Sequence, residues 1–195
     1  MKQVQLIQEI STLLLQFSNE VKEKGKLKLN DINIISEDVL VPILSIVYDT
    51  KLKNLNDEQA NFPGIDLVSD DHITYGGGSK IAFQITSSNG ITKIKKTIKQ
   101  YIKNKFYEKF DDVFIFILTD KQDNFQKKSV DEIAKIIDNK FSFDLKLNVI
   151  DRTNLISKIT SLTPINKIQQ IHKLLEDQFV YRKKSLLSLE LWETD

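Results

Sequence analysis

Phe62-Pro63-Gly64-Ile65-Asp66-Leu67 and Lys80-Ile81-Ala82-Phe83-Gln84-Ile85-Thr86-Ser87 are the two stretches on which the architecture turns. Both read as strands. In the first, Ile65 and Leu67 flank Asp66, so an extended chain points the carboxylate away from the face those two share. In the second, Ile81, Phe83 and Ile85 take one face, and Lys80, Ala82, Gln84 and Thr86 take the other. Tyr75-Gly76-Gly77-Gly78-Ser79 between them is a strong turn signal. Such a strand pair brings Asp66 and Gln84 together, an acid and an amide among apolar neighbours.

Helical patterns surround the pair. Residues 3–24 carry Val4, Ile7, Ile10, Leu13, Leu14 and Phe17 at three-to-four spacing, and Gly25 ends the pattern. A second helix runs roughly from Asp31 to Tyr48. Pro42 falls inside it, so either the helix bends there or Ser36 caps a fresh start. Residues 49–62 are rich in Asn and Asp and read as loop. Beyond the strand pair comes a basic helix over 91–108. Val113–Leu118 is a continuous apolar run, as in a strand covered on both faces. Ser129-Val130-Asp131-Glu132 reads as a capping box opening a helix to about Lys140. Leu145–Val149 alternates like a half-buried strand. Asp151 caps a helix across 152–160, and Thr163-Pro164 opens a long final helix. Helices alternating with apolar strands predict an α/β layer structure with a mixed central sheet.

At 195 residues the chain reads as a single domain, 1–195. Its core is placed at about 31–160, with an N-terminal helix at 3–24 and C-terminal helices over 164–192. There is no Cys, which excludes a disulfide framework and thiol chemistry and suits a reducing cytoplasm. Met1 leads into a mixed polar-apolar helix, unlike a signal peptide. No apolar run approaches the roughly 20 residues needed to span a membrane, so no membrane partner is expected. Net charge is +1, yet Ile91–Lys109 holds seven lysines against Glu108 alone. A local excess of that kind can steer a polyanion.

Asp66 and Gln84 together outline a metal-dependent nuclease site, with a neutral amide where a second acid is usual. Phosphodiester hydrolysis with Mg²⁺ needs hard oxygen ligands and a group that positions or deprotonates water. Asp66, the Gln84 amide oxygen and the Ile85 backbone carbonyl supply three such ligands, and Glu37 on the second helix offers a further carboxylate. Each has an ordinary structural role when taken alone: an acid in a helical first turn, an edge residue, an amide bonded to a neighbour. Convergence of the three side chains would distinguish a site. Lys93, Lys95, Lys96, Lys99 and Lys103 on the basic helix are the expected nucleic-acid contacts.

Several stretches carry a family resemblance. They are Glu37-Asp38, Leu40, Pro42-Ile43-Leu44, Leu52-Lys53-Asn54-Leu55-Asn56, Asn61–Leu67, Ile81–Ser87, Lys93-Ile94 and Thr97-Ile98. Together they resemble the bacterial SMEK domain, thought to belong to the PD-(D/E)XK, restriction-endonuclease-like superfamily. The resemblance implies a restriction-endonuclease-like core in which Asp66 matches the superfamily's acid, Gln84 its second acid and Glu37 the helical acid. Thr86 stands where that superfamily usually has lysine, giving a catalytic set of Asp66, Gln84, Glu37 and Thr86. It further implies phage defence and an NTPase or sensor partner.

The resulting expectation is a Mg²⁺- or Mn²⁺-dependent nuclease acting on DNA, with RNA as the other candidate polymer. The rival expectation is a catalytically silent nucleic-acid-binding or assembly module, forming a homodimer through the terminal helices. The apolar residues of those helices motivate it: Ile168, Ile171, Leu174, Leu175 and Phe179, then Leu186, Leu187, Leu189, Leu191 and Trp192.

Overall fold

A computed structural model describes residues 2–27, 31–57, 63–70 and 80–190, without the side chains of 31–35 and 180–190. Helix α1 spans Gln3–Lys26 and buries Leu6, Ile10, Leu14, Phe17 and Val21, a single stripe at helical spacing. Helix α2, Asp31–Val47, runs unbroken through Pro42, so Ser36 does not start a new helix. Strand β1, Leu52–Asn54, lies within the region read as loop. Its three residues are too few for periodicity to show. Strands β2, Leu67–Ser69, and β3, Ile81–Thr86, form the expected antiparallel pair. The glycine-rich turn at 75–79 and Phe62 lie outside the described residues.

The first strand is shorter than its sequence suggests. Pro63 and Gly64 form a bend, and the ladder begins only at Leu67. Ile65 and Leu67 therefore do not share a face. Ile65 packs with Val68, Ala82 and Tyr101, whereas Leu67 packs with Phe83 and Ile85 on the opposite side of the sheet. A period-two reading fails where the chain is not extended.

The basic helix, α3, spans Ile91–Lys103 and stops short of 108, because Lys105 turns left-handed at φ +53° before a 3-10 turn over Phe106–Glu108. Strand β4 is Asp112–Ile117 and helix α4 is Lys127–Ile137. The capping box at Ser129 does not form. The N-cap is Gln126, three residues earlier, and Glu132 pairs with Lys95 of α3 instead. Strand β5 is Val149–Asp151. Residues 145–148 make a turn in which Asp144 accepts hydrogen bonds from the Lys146 and Leu147 backbone N–H groups. Helix α5, Arg152–Thr160, has the expected cap: Asp151 accepts from Thr153 and Asn154, and Asn154 returns a bond to the Asp151 N–H. Helix α6 spans Ile165–Glu190.

The five strands lie in the order β1-β2-β3-β4-β5, antiparallel from β1 to β3 and parallel from β3 to β5. Helices α1, α2, α5 and α6 cover one face in a single apolar core, and α3 and α4 cover the other. Through Phe179, the apolar stripes of α1 and α6 are buried largely within this chain. His172 of α6 bridges Glu9 of α1 at 2.7 Å and Glu176 at 3.2 Å. No helix among the described residues is long and apolar enough to cross a membrane.

Candidate functional site

The site sits where β2 leaves β3. The two strands pair at Leu67 with Phe83 and at Val68 with Ala82. One residue earlier, the Asp66 N–H donates to the Phe83 carbonyl at 2.7 Å, and the Asp66 carbonyl accepts from Leu55 N–H at 2.8 Å. The backbone of Asp66 is thus held from both sides. The chain then turns away through Gly64, whose φ is +89° and whose missing Cβ would lie 2.7 Å from Gln100 Cβ on α3. Only glycine allows both that conformation and that approach. With the ladder opened, the Ile85 N–H donates to Asp66 Oδ2 at 2.6 Å. The Gln84 Nε2 donates to the same oxygen and to the Ile85 carbonyl at 3.1 Å.

Glu37 reaches this opening from α2. Its carboxylate is buried and accepts from Asn56 Nδ2 at 2.8 Å and from the Asn54 side chain. Asn56 also lies close enough to Asp66 to favour its charge, and the neighbouring Leu55 N–H bonds the Asp66 carbonyl. The Asn56 N–H donates to Asn54 Oδ1 at 3.0 Å, and Asn54 Nδ2 donates to Asp38 Oδ1 at 3.4 Å. The segment 54–56 is therefore a clip between the helical acid and the strand acid. Its asparagines stand in the stretch read as loop, and only the Asn54-Leu55-Asn56 pattern hinted at more.

The lysines divide by direction. Lys93, in the first turn of α3, is half-buried and lies close enough to Asp66 for their charges to interact. Lys95 pairs with Glu132 of α4. Lys96, Lys99 and Lys103 are exposed along one stripe of the helix. Thr86 is buried, and its Oγ1 accepts from the Ser88 N–H at 3.1 Å, so its hydroxyl serves the turn after β3.

Burial pushes the Asp66 carboxyl from 3.8 up to about 7, and the nearby negative Glu37 adds to this. The Ile85 N–H, Lys93 and Asn56 act in the opposite direction. Burial raises Glu37 as well, against hydrogen bonds from Asn56 and Asn54, and lowers the Lys93 ammonium. Two like charges in a poorly hydrated pocket favour a bound cation. The available donors are two carboxylates, the Ile85 carbonyl and the Gln84 amide, all hard oxygens suited to Mg²⁺ or Mn²⁺. The electropositive Gln84 NH₂ is gripped by Asp66 Oδ2 and the Ile85 carbonyl together. Two candidate ligand oxygens therefore lie beside one amide, which a flip would present through its oxygen instead of its nitrogen. Among the described residues, no group of three or more His, Cys, Asp or Glu could hold a metal, so the site depends on its neutral donors.

Asp66, Gln84, Ile85, Glu37 and Lys93 thus come together, whereas Lys95 and Thr86 are engaged elsewhere. No curated protein and no solved structure matches the chain at a significant level. The family model of the SMEK domain matches residues 9–160, from within α1 to the end of α5 and across every residue of the site. The chain belongs to the SMEK domain family.

Proposed function

We propose that this chain is a Mg²⁺- or Mn²⁺-dependent nuclease domain of the restriction-endonuclease-like, PD-(D/E)XK type, hydrolysing DNA phosphodiester bonds as an effector in bacterial anti-phage defence. The observation that carries the reading is the charge of Lys93 beside Asp66. Thr86 leaves the position two residues after Gln84 without a cation, and the first turn of the next helix supplies one. Asp66, Glu37, Gln84 and the Ile85 carbonyl would hold the ion. When bound, it supplies Lewis acidity at the scissile phosphate and acidifies water. Lys93, whose ammonium burial disfavours and Asp66 favours, stabilises the negative charge that develops on the phosphate. Lys96, Lys99 and Lys103 contact flanking phosphates without reading bases. The defence role and an NTPase or sensor partner rest on the family resemblance.

Supercoiled plasmid with Mg²⁺ or Mn²⁺ tests the reading. Wild type is expected to nick or linearise it. Asp66→Ala and Gln84→Ala lose cleavage and weaken metal binding. Lys93→Ala is expected to lose roughly 100-fold or more in turnover, as when a charge-stabilising donor is removed, while binding metal like wild type. A wild type that neither cuts with candidate partners nor binds metal by calorimetry defeats the proposal.

One observation favours a second reading, in which the domain binds nucleic acid without cutting. The Gln84 amide presents nitrogen, not oxygen, to Asp66. In that case plasmid is retarded in a gel but stays intact, and Lys96, Lys99 and Lys103 are the residues whose loss abolishes retardation.

A further inference from the structure

The two acids of the site come from separate elements and carry like charge. Glu37 belongs to α2, which is anchored through Val39, Leu40, Ile43 and Leu44 in the larger core. Asp66 belongs to the opening between β2 and β3. Lys93 acts on Asp66 but is not among the groups that act on Glu37; those are Asn56 and Asn54, which donate, and Asp38 and Asp57, which repel. Among the described residues, amide hydrogen bonds are what hold Glu37 in the site. Asn56 Nδ2 bonds Glu37 Oε2 at 2.8 Å and lies close enough to Asp66 to favour its charge.

We propose that Asn56 is a positioning residue of the site: its amide holds Glu37 on the segment that grips the Asp66 backbone and so would deliver the helical carboxylate to the cation. The placement of Asn56 is itself specified. Its N–H is held by Asn54 Oδ1, and between them the Leu55 N–H bonds the Asp66 carbonyl. The segment 54–56 grips Asp66 by backbone and Glu37 by side chain, so three residues fix both acids relative to each other. Without the Asn56 amide, Glu37 loses its contact to the strand side of the site, and repulsion from Asp38 and Asp57 favours its turning to water. Partners that orient metal ligands in this way typically change metal affinity strongly when removed.

This inference rests on the metal-site reading above, and its test separates the two. Mn²⁺ affinity is measured from the free-ion EPR signal on the full chain. Asn56→Ala removes the amide, and Asn56→Leu removes it while keeping the side chain's shape, so the second carries the test if the first unfolds. Each is expected to weaken Mn²⁺ binding by roughly 10–100-fold with a melting curve close to wild type. In a Glu37→Ala background the same changes should cost less than about threefold, because a residue acting through Glu37 has nothing left to position. Losses as large in that background as in wild type, or Mn²⁺ binding by Asn56→Leu equal to wild type, overturn the role of Asn56 while the metal site stands. A wild type that takes up no Mn²⁺ overturns both.

Discussion

At Asp66 the folded protein holds a carboxyl whose proton affinity is raised by burial from 3.8 to about 7, although Ile85, Lys93 and Asn56 all favour its charge. That difference corresponds to about 4 kcal/mol between the two protonation states. The native state binds the proton more tightly than the unfolded chain does. Stability of the metal-free protein therefore falls as pH rises from about 4 to about 7 and levels off above that. Glu37 is shifted in the same direction and steepens the fall. Asp66→Asn keeps an acceptor for the Ile85 N–H and cannot ionise. In urea denaturation with chelator, it should exceed wild type in stability at pH 8 by up to about 4 kcal/mol, and the gap should close toward pH 4. Parallel pH profiles for the two proteins would show that Asp66 carries no such burden. The gain in stability should come with loss of divalent-cation binding if, as proposed, the charge that costs stability is the one that holds the ion.

Among the elements, the bend at Pro63-Gly64 does most to shape the site, and the sequence misrepresents it. Pro and Gly beside an apolar-acid-apolar triplet read as a strand with Asp66 on its polar face. In the fold, the left-handed Gly64 presses on α3 at Gln100, and Asp66 stands at the end of the ladder, where its side chain can turn to Ile85. Gly64→Ala should cost about 1–3 kcal/mol from the strained φ alone, with a further loss from contact with the Gln100 Cβ. Gln100→Ala keeps that Cβ and should not rescue it, whereas Gln100→Gly should restore part of the loss in a melting experiment. Full rescue by Gln100→Ala would mean that the contact is not at the Cβ. Where one element decides its own structure, the sequence was legible: β4 from its apolar run, α5 from the Asp151 cap, and the pairing of β2 with β3. Where distant groups decide, it was not. Glu132 answers to Lys95 rather than to a capping box, β5 starts late because Asp144 binds the backbone of a turn, and the three-residue β1 is set by its pairing with β2 and its contact with α2. The acids and the amide of the site could be named from sequence, but the placement of Asn56 beside Glu37 needed separate segments brought together.

For the molecule as a whole, a net charge of +1 gives no general attraction to a polyanion, so any such attraction must come from the placement of charge. The fold divides one lysine-rich helix among three tasks. Lys93 faces the site, Lys95 joins α3 to α4 through Glu132, and Lys96, Lys99 and Lys103 remain exposed on one stripe. The three exposed lysines follow one another along about two turns of helix, a length that matches a short run of phosphates beside the site. Each phosphate neutralised on duplex DNA contributes about 0.9 to the slope of log affinity against log salt. Replacing Lys96, Lys99 and Lys103 together by Gln should therefore reduce that slope by up to about 2.7 for three contacts, measured by fluorescence anisotropy with duplex DNA between roughly 50 and 200 mM salt. Lys95→Gln should leave the slope unchanged, because its charge is spent on Glu132. It should leave stability close to wild type, as expected for an ion pair at the surface. A slope that changes with Lys95 and not with the other three would place the nucleic acid over α4 instead, and would separate the binding surface from the carboxylates of the site.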